Sequence, residues 1–197
     1  MHIMSIDCES NGLHGTIFAI GAVLIDADDP SKLYNPIAEF GADVDIRLDE
    51  DVDPWVTANV LPYLADLERY DSLLEMRTAF WEWYIKYNTN DLATWRLIVL
   101  ADFGVPVEAR LFRELIADDP AHREWKGPYP LHDLGTMLLM VGEDPDKVNR
   151  RNWWFDLYHD AMFLEPGLRQ HNPLDDALGA SRCAVKALQL RNRPQRN

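Results

Sequence analysis

The chain opens on an apolar strand that ends in two carboxylates, and any fold it adopts has to accommodate that pair. His2-Ile3-Met4-Ser5-Ile6 reads as a short, largely apolar strand running into Asp7-Cys8-Glu9. On a strand, residues i and i+2 share a face, so Asp7 and Glu9 stand side by side where the strand ends. Two like charges placed that way repel and raise each other's pKa unless a cation sits between them. The pair therefore reads either as hard oxygen ligands for Mg²⁺ or Mn²⁺, or as a solvated strand end feeding the turn Ser10-Asn11-Gly12.

The rest of the chain decides between these readings, and its composition sets the bounds. With 197 residues, 47% apolar and 26% charged, it suits one domain with a real core. That domain is expected over residues 1–190, with a basic tail at 191–197 (Arg-Asn-Arg-Pro-Gln-Arg-Asn). No apolar run approaches the roughly 18 residues needed to cross a bilayer, so no membrane partner is expected. The start lacks the basic flank and long apolar stretch of a signal peptide. Cys8 and Cys183 lie far apart without CxxC spacing and read as reduced small hydrophobes, which points to a cytoplasmic protein. The formal net charge of −14 argues against broad electrostatic binding of nucleic acid. It leaves room for an enzyme whose site collects carboxylates around bound cations.

Along the chain, Ile17 to Asp26 is a buried strand by its β-branched and apolar content. Leu33 to Phe40 reads as a third strand, placed at an edge by Pro36. Asp53-Pro54 starts a helix with Pro at its first position. A second helix is expected from about Ser72 to Tyr87, with Leu73, Met76, Phe80, Trp83 and Tyr87 spaced by three or four and Trp81 and Tyr84 on a neighbouring row. Such a stripe is core packing or, less commonly, a base-stacking platform. Trp95 to Asp102 is the next strand and again ends in a carboxylate. Phe103-Gly104-Val105 turns the chain, and Pro106 opens a helix through Leu115. Tyr129 to Leu134 is a fifth, short strand, followed by a helix containing Met137 to Met140. Asn152-Trp153-Trp154-Phe155 with Tyr158 reads as a lid or as a packed surface segment.

The final element carries the second strong pattern, His171-Asn172-Pro173-Leu174-Asp175-Asp176. Asn172 is a good N-cap and Pro173 sits at the first helical position. Leu174, Leu178, Ser181, Val185 and Leu188 form the expected packing stripe. Asp175 shares a face with Arg182 and Lys186 and is expected in solvent. Asp176 shares a face with the small residues Ala180 and Cys183, which let a helix approach a sheet closely. Asp176 is thus the acid placed to reach Asp7 and Glu9, with His171 over the same place.

Taken in order, Ile-Asp-Cys-Glu-Ser-Asn-Gly-Leu, Ile-Gly-Ala-Val, the strand-turn-helix after Trp95 and His-Asn-Pro-Leu-Asp-Asp-Ala resemble the DEDDh 3′→5′ exonucleases. This branch of the ribonuclease-H-like superfamily includes proofreading subunits, oligoribonuclease and the RNase AS type of exoribonuclease. The likeness spans nearly the whole domain. It departs at the second motif, usually His-Asn-x-x-Phe-Asp. Reading back from Leu111 and Phe112 puts Glu108 at the acid position, whereas residue type favours Asp102 at the strand end. Both stay open.

The resemblance implies an α/β fold, a five-stranded mixed sheet with its first three strands antiparallel and helices on its flanks. It implies two divalent ions, Mg²⁺ or Mn²⁺. Asp7, Glu9 and Asp176 would hold one, and Asp7 with Asp102 or Glu108 the other. His171 would take the proton of the attacking water. Backbone near Asn11, Gly12 and Leu13 would cradle the terminal nucleotide, with Leu13 wedged against its base. The implied activity is 3′→5′ hydrolysis of single-stranded nucleic acid with a free 3′ end, RNA favoured over DNA, releasing 5′-mononucleotides. Competing readings are a ribonuclease-H-like endonuclease, a nuclease for short oligonucleotides, and a nucleic-acid-binding module that has kept the fold. A homodimer is compatible with all of these.

Overall fold

The computed structural model describes residues 1–29, 33, 35–48, 50–88, 97–154 and 168–191. The expected tail beyond Arg191, and Phe155 and Tyr158, lie outside these residues. The elements run β1 (His2–Ser10), β2 (Ile17–Asp26), β3 (Ala38–Val44), α1 (Pro54–Asn59), β4 (Glu68–Tyr70), α2 (Leu73–Tyr87) and β5 (Leu97–Ala101). There follow α3 (Val107–Asp118), α4 (Pro120–Arg123), β6 (His132–Asp133), α5 (Leu134–Met140) and α6 (Pro173–Arg191). One mixed sheet has the order β4-β3-β2-β1-β5-β6. β1 and β3 each pair antiparallel with β2, while β5 pairs parallel to β1, β6 parallel to β5 and β4 parallel to β3. This is the architecture expected of the ribonuclease-H-like resemblance, with one strand added. Among the described residues no helix is long and apolar enough to cross a membrane.

The extra strand corrects the sequence reading in two ways. β3 starts at Ala38 rather than Leu33, and it is not an edge, because β4 pairs with it in parallel. Pro36 lies before the strand, and Leu33 is buried in the core with Ile3 and Ile25. The stretch Gly41-Ala42-Asp43-Val44 is too small and polar to look like a strand. It forms one because Asp43 is buried and sits opposite Arg69 in the ladder. The guanidinium meets that carboxylate through Nε at 3.3 Å and Nη2 at 2.5 Å. β4 spans only three residues, so no periodicity could announce it.

Alternation along β1 sorts the core into two layers. Met4, Ile6 and Cys8 face α2 and α3, packing with Met76, Phe80, Tyr84, Leu111, Phe112 and Leu115. Ile3 faces the other way, with Leu134 and Leu138 of α5 and Ala180, Cys183 and Ala184 of α6. Asp7 and Glu9 belong by parity to this second face. The aromatic stripe of α2 is core: the Phe40–Phe80 and Tyr84–Phe112 rings meet edge-on at 5.4 and 5.3 Å. Ser72 caps α2 by accepting the Glu75 N–H at 3.2 Å. Cys8 and Cys183 are buried free thiols in different layers, as expected of reduced cysteines.

Helix α6 lies over the sheet at a row of glycines. Asp7 is opposite Gly21 in the ladder, and Gly21 is opposite Gly41. A Cβ at Gly21 would fall 2.1 Å from the Pro173 carbonyl carbon, and one at Gly41 would lie 3.4 Å from Leu174 Cδ2. The first turn of α6 therefore rests on backbone beside Asp7. Asn172 caps it as expected, accepting the N–H groups of Leu174 and Asp175 at 3.2 Å each.

α6 is buried more completely than a single stripe would make it. Arg182 and Lys186, expected in solvent beside Asp175, are both buried. Arg182 donates to the Leu33 carbonyl at 2.6 Å and lies 4.4 Å from the Trp154 ring centroid. Lys186 donates to the Trp153 carbonyl and stands 4.2 Å from that ring. The Trp153-Trp154 segment is thus a packed flank of α6, not a lid. Asp175 pairs instead with Arg169, whose Nε approaches to 2.7 Å. The sequence pattern missed this because it assigned charged side chains to solvent, whereas aromatic faces and carbonyls can hold a buried cation.

Gly21→Ala should destabilise the protein by about 2 kcal/mol or more, since backbone rather than a flexible side chain blocks the added methyl. Urea denaturation measures it, and an unchanged midpoint would contradict the close docking of α6.

Candidate active site

The sheet ends at an open corner. The β1–β5 ladder stops at Ile6 and Ala101, so β1 continues through Asp7, Cys8 and Glu9 without a partner on that side. Crevices beyond strand ends, where neighbouring connections diverge, are the usual ligand sites of α/β sheets. Here α3 enters the gap. The Cys8 N–H, past the end of the ladder, is donated to Glu108 Oε1 at 3.1 Å. Glu108 lies in the first turn of α3, which favours its charge through the helix dipole, yet only 4% of it is exposed.

From the other face α6 delivers Asp176, and the turn before it delivers His171. The His171 N–H donates to Asp176 Oδ2 at 2.8 Å. His171 has φ of +61°, a backbone conformation costly for a residue with a side chain and typical of functional sites. It holds the ring inward, with Nδ1 3.8 Å from Glu9 Oε1 and the ring edge-on to Trp55 at 5.1 Å. One ligand atom each from Glu9, His171 and Asp176 lie within 4.8 Å of one another. Asp7 and Asp176 line a common cavity of about 270 Å³.

Burial is the first cause of the titration shifts and crowding the second. Burial, then the charges of Glu9, Asp176 and Glu108, push Asp7 well above the usual carboxylate range. Burial, with Asp176 and Glu108, raises Glu9 to about 8. Burial raises Glu108 to about 7 against the N–H groups that favour its charge. Burial raises Asp176 to about 6, opposed by the His171 N–H and by Arg151. His171 is lowered, by burial and then by Arg151.

The two candidates for the second acid differ. Asp102 follows β5 and lines the same cavity as Asp7 and Asp176, but its carboxylate is clamped by Arg150, with Nε–Oδ2 2.7 Å and Nη2–Oδ1 2.9 Å. Glu108 has no such clamp: it accepts from its own backbone N–H and from that of Cys8, and Arg110 is only a minor influence on it. The unneutralised acids are Asp7, Glu9, Glu108 and Asp176, the last touched loosely by Arg151 at 3.5 Å. Four crowded oxygen donors suit a hard divalent cation.

Beside the acids is a cavity of about 420 Å³ lined by residues including Glu9, Gly12, Leu13, Trp55, Val107 and His171. Gly12 and Leu13 reach it, Leu13 with two-thirds of its surface exposed. Asn11 does not line it. Its amide is spent as a brace, donating to the Asp51 carbonyl at 3.1 Å and accepting the Asp53 N–H at 2.8 Å. Arg110 donates to the Gly15 carbonyl at 2.6 Å and so holds the loop from α3. Sequence reasoning missed Trp55 as a site residue. Its position just after the Asp53-Pro54 helix start was the signal, but nothing local tied that helix to His171. Arg151 was missed as well, because one arginine among several carries no pattern.

Among solved structures the chain is similar to one described as "3'-end specific recognition of histone mRNA stem-loop by 3'-exonuclease", at 13% identity and a TM-score of 0.44, over 95% of this chain and 81% of that one. It is also similar to one described as "crystal structure of full-length 3'-exonuclease", at 14% identity and a TM-score of 0.46, over 95% of this chain and 60% of that one. No family model and no curated protein matches the chain.

The crowding gives the metal-free protein a defined pH response. A carboxylate whose folded pKa is raised stabilises the fold below its unfolded pKa and loses that contribution as pH rises through the folded value. For Asp176, Glu108 and Glu9 that window runs from about pH 4 to about 8. His171, lowered, pulls the other way at its acid end. In EDTA, thermal stability should fall between pH 5 and 8. Glu108→Gln, which keeps an acceptor for Cys8, should raise the midpoint at pH 8 by about 3 °C or more. A variant no more stable than wild type at pH 8 would show that Glu108 is not held against its charge.

Proposed function

We propose that the protein is a metal-dependent 3′→5′ exonuclease acting on single-stranded nucleic acid, with RNA favoured, and releasing 5′-mononucleotides. The observation that carries this is the convergence of Asp7, Glu9, Glu108 and Asp176, without cations sufficient to neutralise them, beside an inward-held histidine. A module that only binds nucleic acid would gain nothing from crowded anions facing a polyanion. The donor set fits two hard divalent ions, Mg²⁺ or Mn²⁺, with Asp7, Glu9 and Asp176 holding one and Asp7 and Glu108 the other. When bound, such ions make water acidic enough to yield a nucleophile at neutral pH and offset charge on the leaving 3′ oxygen.

The chain's own groups do the rest. His171, neutral near pH 7 because burial lowers its pKa, has a free lone pair to accept the water's proton. The Asp176 contact fixes its backbone and Trp55 its ring. The cavity between Leu13 and Trp55 seats the terminal nucleoside, with apolar walls for the base. Gly12, at φ +74°, keeps the loop backbone bare of a side chain there. Asp102 serves as the anchor of Arg150 rather than as a ligand.

With Mn²⁺ and end-labelled single-stranded RNA, wild type should give a ladder shortening one nucleotide at a time from the 3′ end. His171→Ala should lower turnover by roughly 10²–10⁴. Glu108→Gln should cost far more activity than Asp102→Asn, and the reverse order would return the second acid to Asp102. Cutting of circular strands as fast as linear ones would replace the exonuclease with an endonuclease.

A further inference from the structure

We infer that a groove along the β5–β6 edge is a binding track for the single-stranded nucleic acid upstream of the scissile bond. The inference rests on the nuclease reading and adds a second site to it. Phe103 follows Asp102 directly and is half exposed. With Val105, Leu131, His132 and Asp133 it lines a cavity of about 380 Å³. His132 also lines the next cavity, of about 470 Å³, whose walls include Trp125, Lys126, Tyr129 and Pro130. The shared histidine makes the two cavities neighbours on one edge, leading away from the acids.

Two properties of this groove suit a nucleic-acid strand. Trp125 is 90% exposed and Tyr129 fully exposed, so both present bare rings. Base-on-aromatic stacking is sequence-tolerant and worth about 1–3 kcal/mol per base. The charge also fits. On a chain of net charge −14, no Asp or Glu among the described residues lines the Trp125–Tyr129 cavity, while Lys126 and His132 do. Asp133, in the first cavity, is occupied as the cap of α5, accepting the Thr136 N–H at 2.7 Å and its hydroxyl at 2.8 Å. The far cavity, whose described lining holds a lysine and no carboxylate, is complementary to phosphates on this acidic protein.

The geometry sets a length requirement. The far cavity includes Leu97 at the start of β5, and the acids lie past its end at Ala101. Four strand steps of about 3.3 Å separate them by roughly 13 Å. A 12-mer covers that distance and a dinucleotide covers the least of it, so the two substrates separate contacts at Trp125 from contacts at the acids.

The test combines anisotropy of a 5′-labelled RNA 12-mer in EDTA with cleavage of a dinucleotide and of the 12-mer in Mn²⁺. Trp125→Ala and Tyr129→Ala should each raise the Kd for the 12-mer at least about fivefold, the low end of the stacking range, and raise its KM. Dinucleotide cleavage should be unchanged, and Tyr129→Phe should keep wild-type affinity. Unaltered 12-mer binding and KM in both alanine variants overturn the track and leave the nuclease reading standing. Equal losses on both substrates also overturn it, as does conversion of a dimer to a monomer in sedimentation, which would make the edge a protein interface. A wild type that binds the 12-mer through Trp125 yet cuts neither substrate supports the track and overturns the nuclease reading.

Discussion

Repulsion among four half-buried or buried carboxylates is the condition the rest of the structure has to withstand. Left to themselves, Asp7, Glu9, Glu108 and Asp176 would separate or take up protons. Each is fixed by an element committed elsewhere. Asp7 and Glu9 ride on a strand paired to β2 through its whole length. Glu108 is anchored by an N–H that β5 leaves unpaired. Asp176 is set by a helix seated on Gly21 and Gly41 and capped by Asn172. The two hydrophobic layers thus do more than stabilise the fold. They hold together groups that would lower their energy by moving apart, a common arrangement where binding or catalysis needs preorganised charge.

The arginines show how the remaining charge is managed. Arg150 clamps Asp102, Arg169 takes Asp175, and Arg69 takes Asp43. Each removes an acid that would otherwise add to the crowd or lie unsatisfied in the core. Arg110 turns its two terminal nitrogens to the loop that carries Leu13. Arg151 alone of this group touches one of the four acids, and at 3.5 Å the contact is loose. The pattern separates acids that are structural from acids that are held charged or protonated against their preference. Sequence spacing cannot draw that distinction.

Much of this was readable in advance, for physical reasons that differ by element. β1 and β2 are long and apolar, α2 repeats aromatics at helical spacing, and α6 opens with an Asn-Pro cap. Those signals are local, and the elements form where they say. Asp7, Glu9, His171 and Asp176 come together because parity on a strand and position after a cap dictate direction. What failed was set by distant contacts. β4 is too short to carry a period, and its pairing depends on Arg69 finding Asp43. Arg182 and Lys186 looked like a solvent face until Trp153 and Trp154 supplied buried partners. The clamp on Asp102 comes from Arg150, a residue 48 positions away, which no local pattern announces. The brace from the Asn11 amide to residues 51 and 53 has no local signal either.

We propose that the four acids form a divalent-cation site, and calorimetric titration with Mn²⁺ decides it. Wild type should bind two ions per chain, with protons released as the raised carboxylates ionise. Asp7→Asn, which removes the acid shared by both ions while keeping the strand, should nearly abolish binding with the fold intact. A wild type that takes up no Mn²⁺, or an Asp7→Asn variant that binds it as wild type does, would contradict the account.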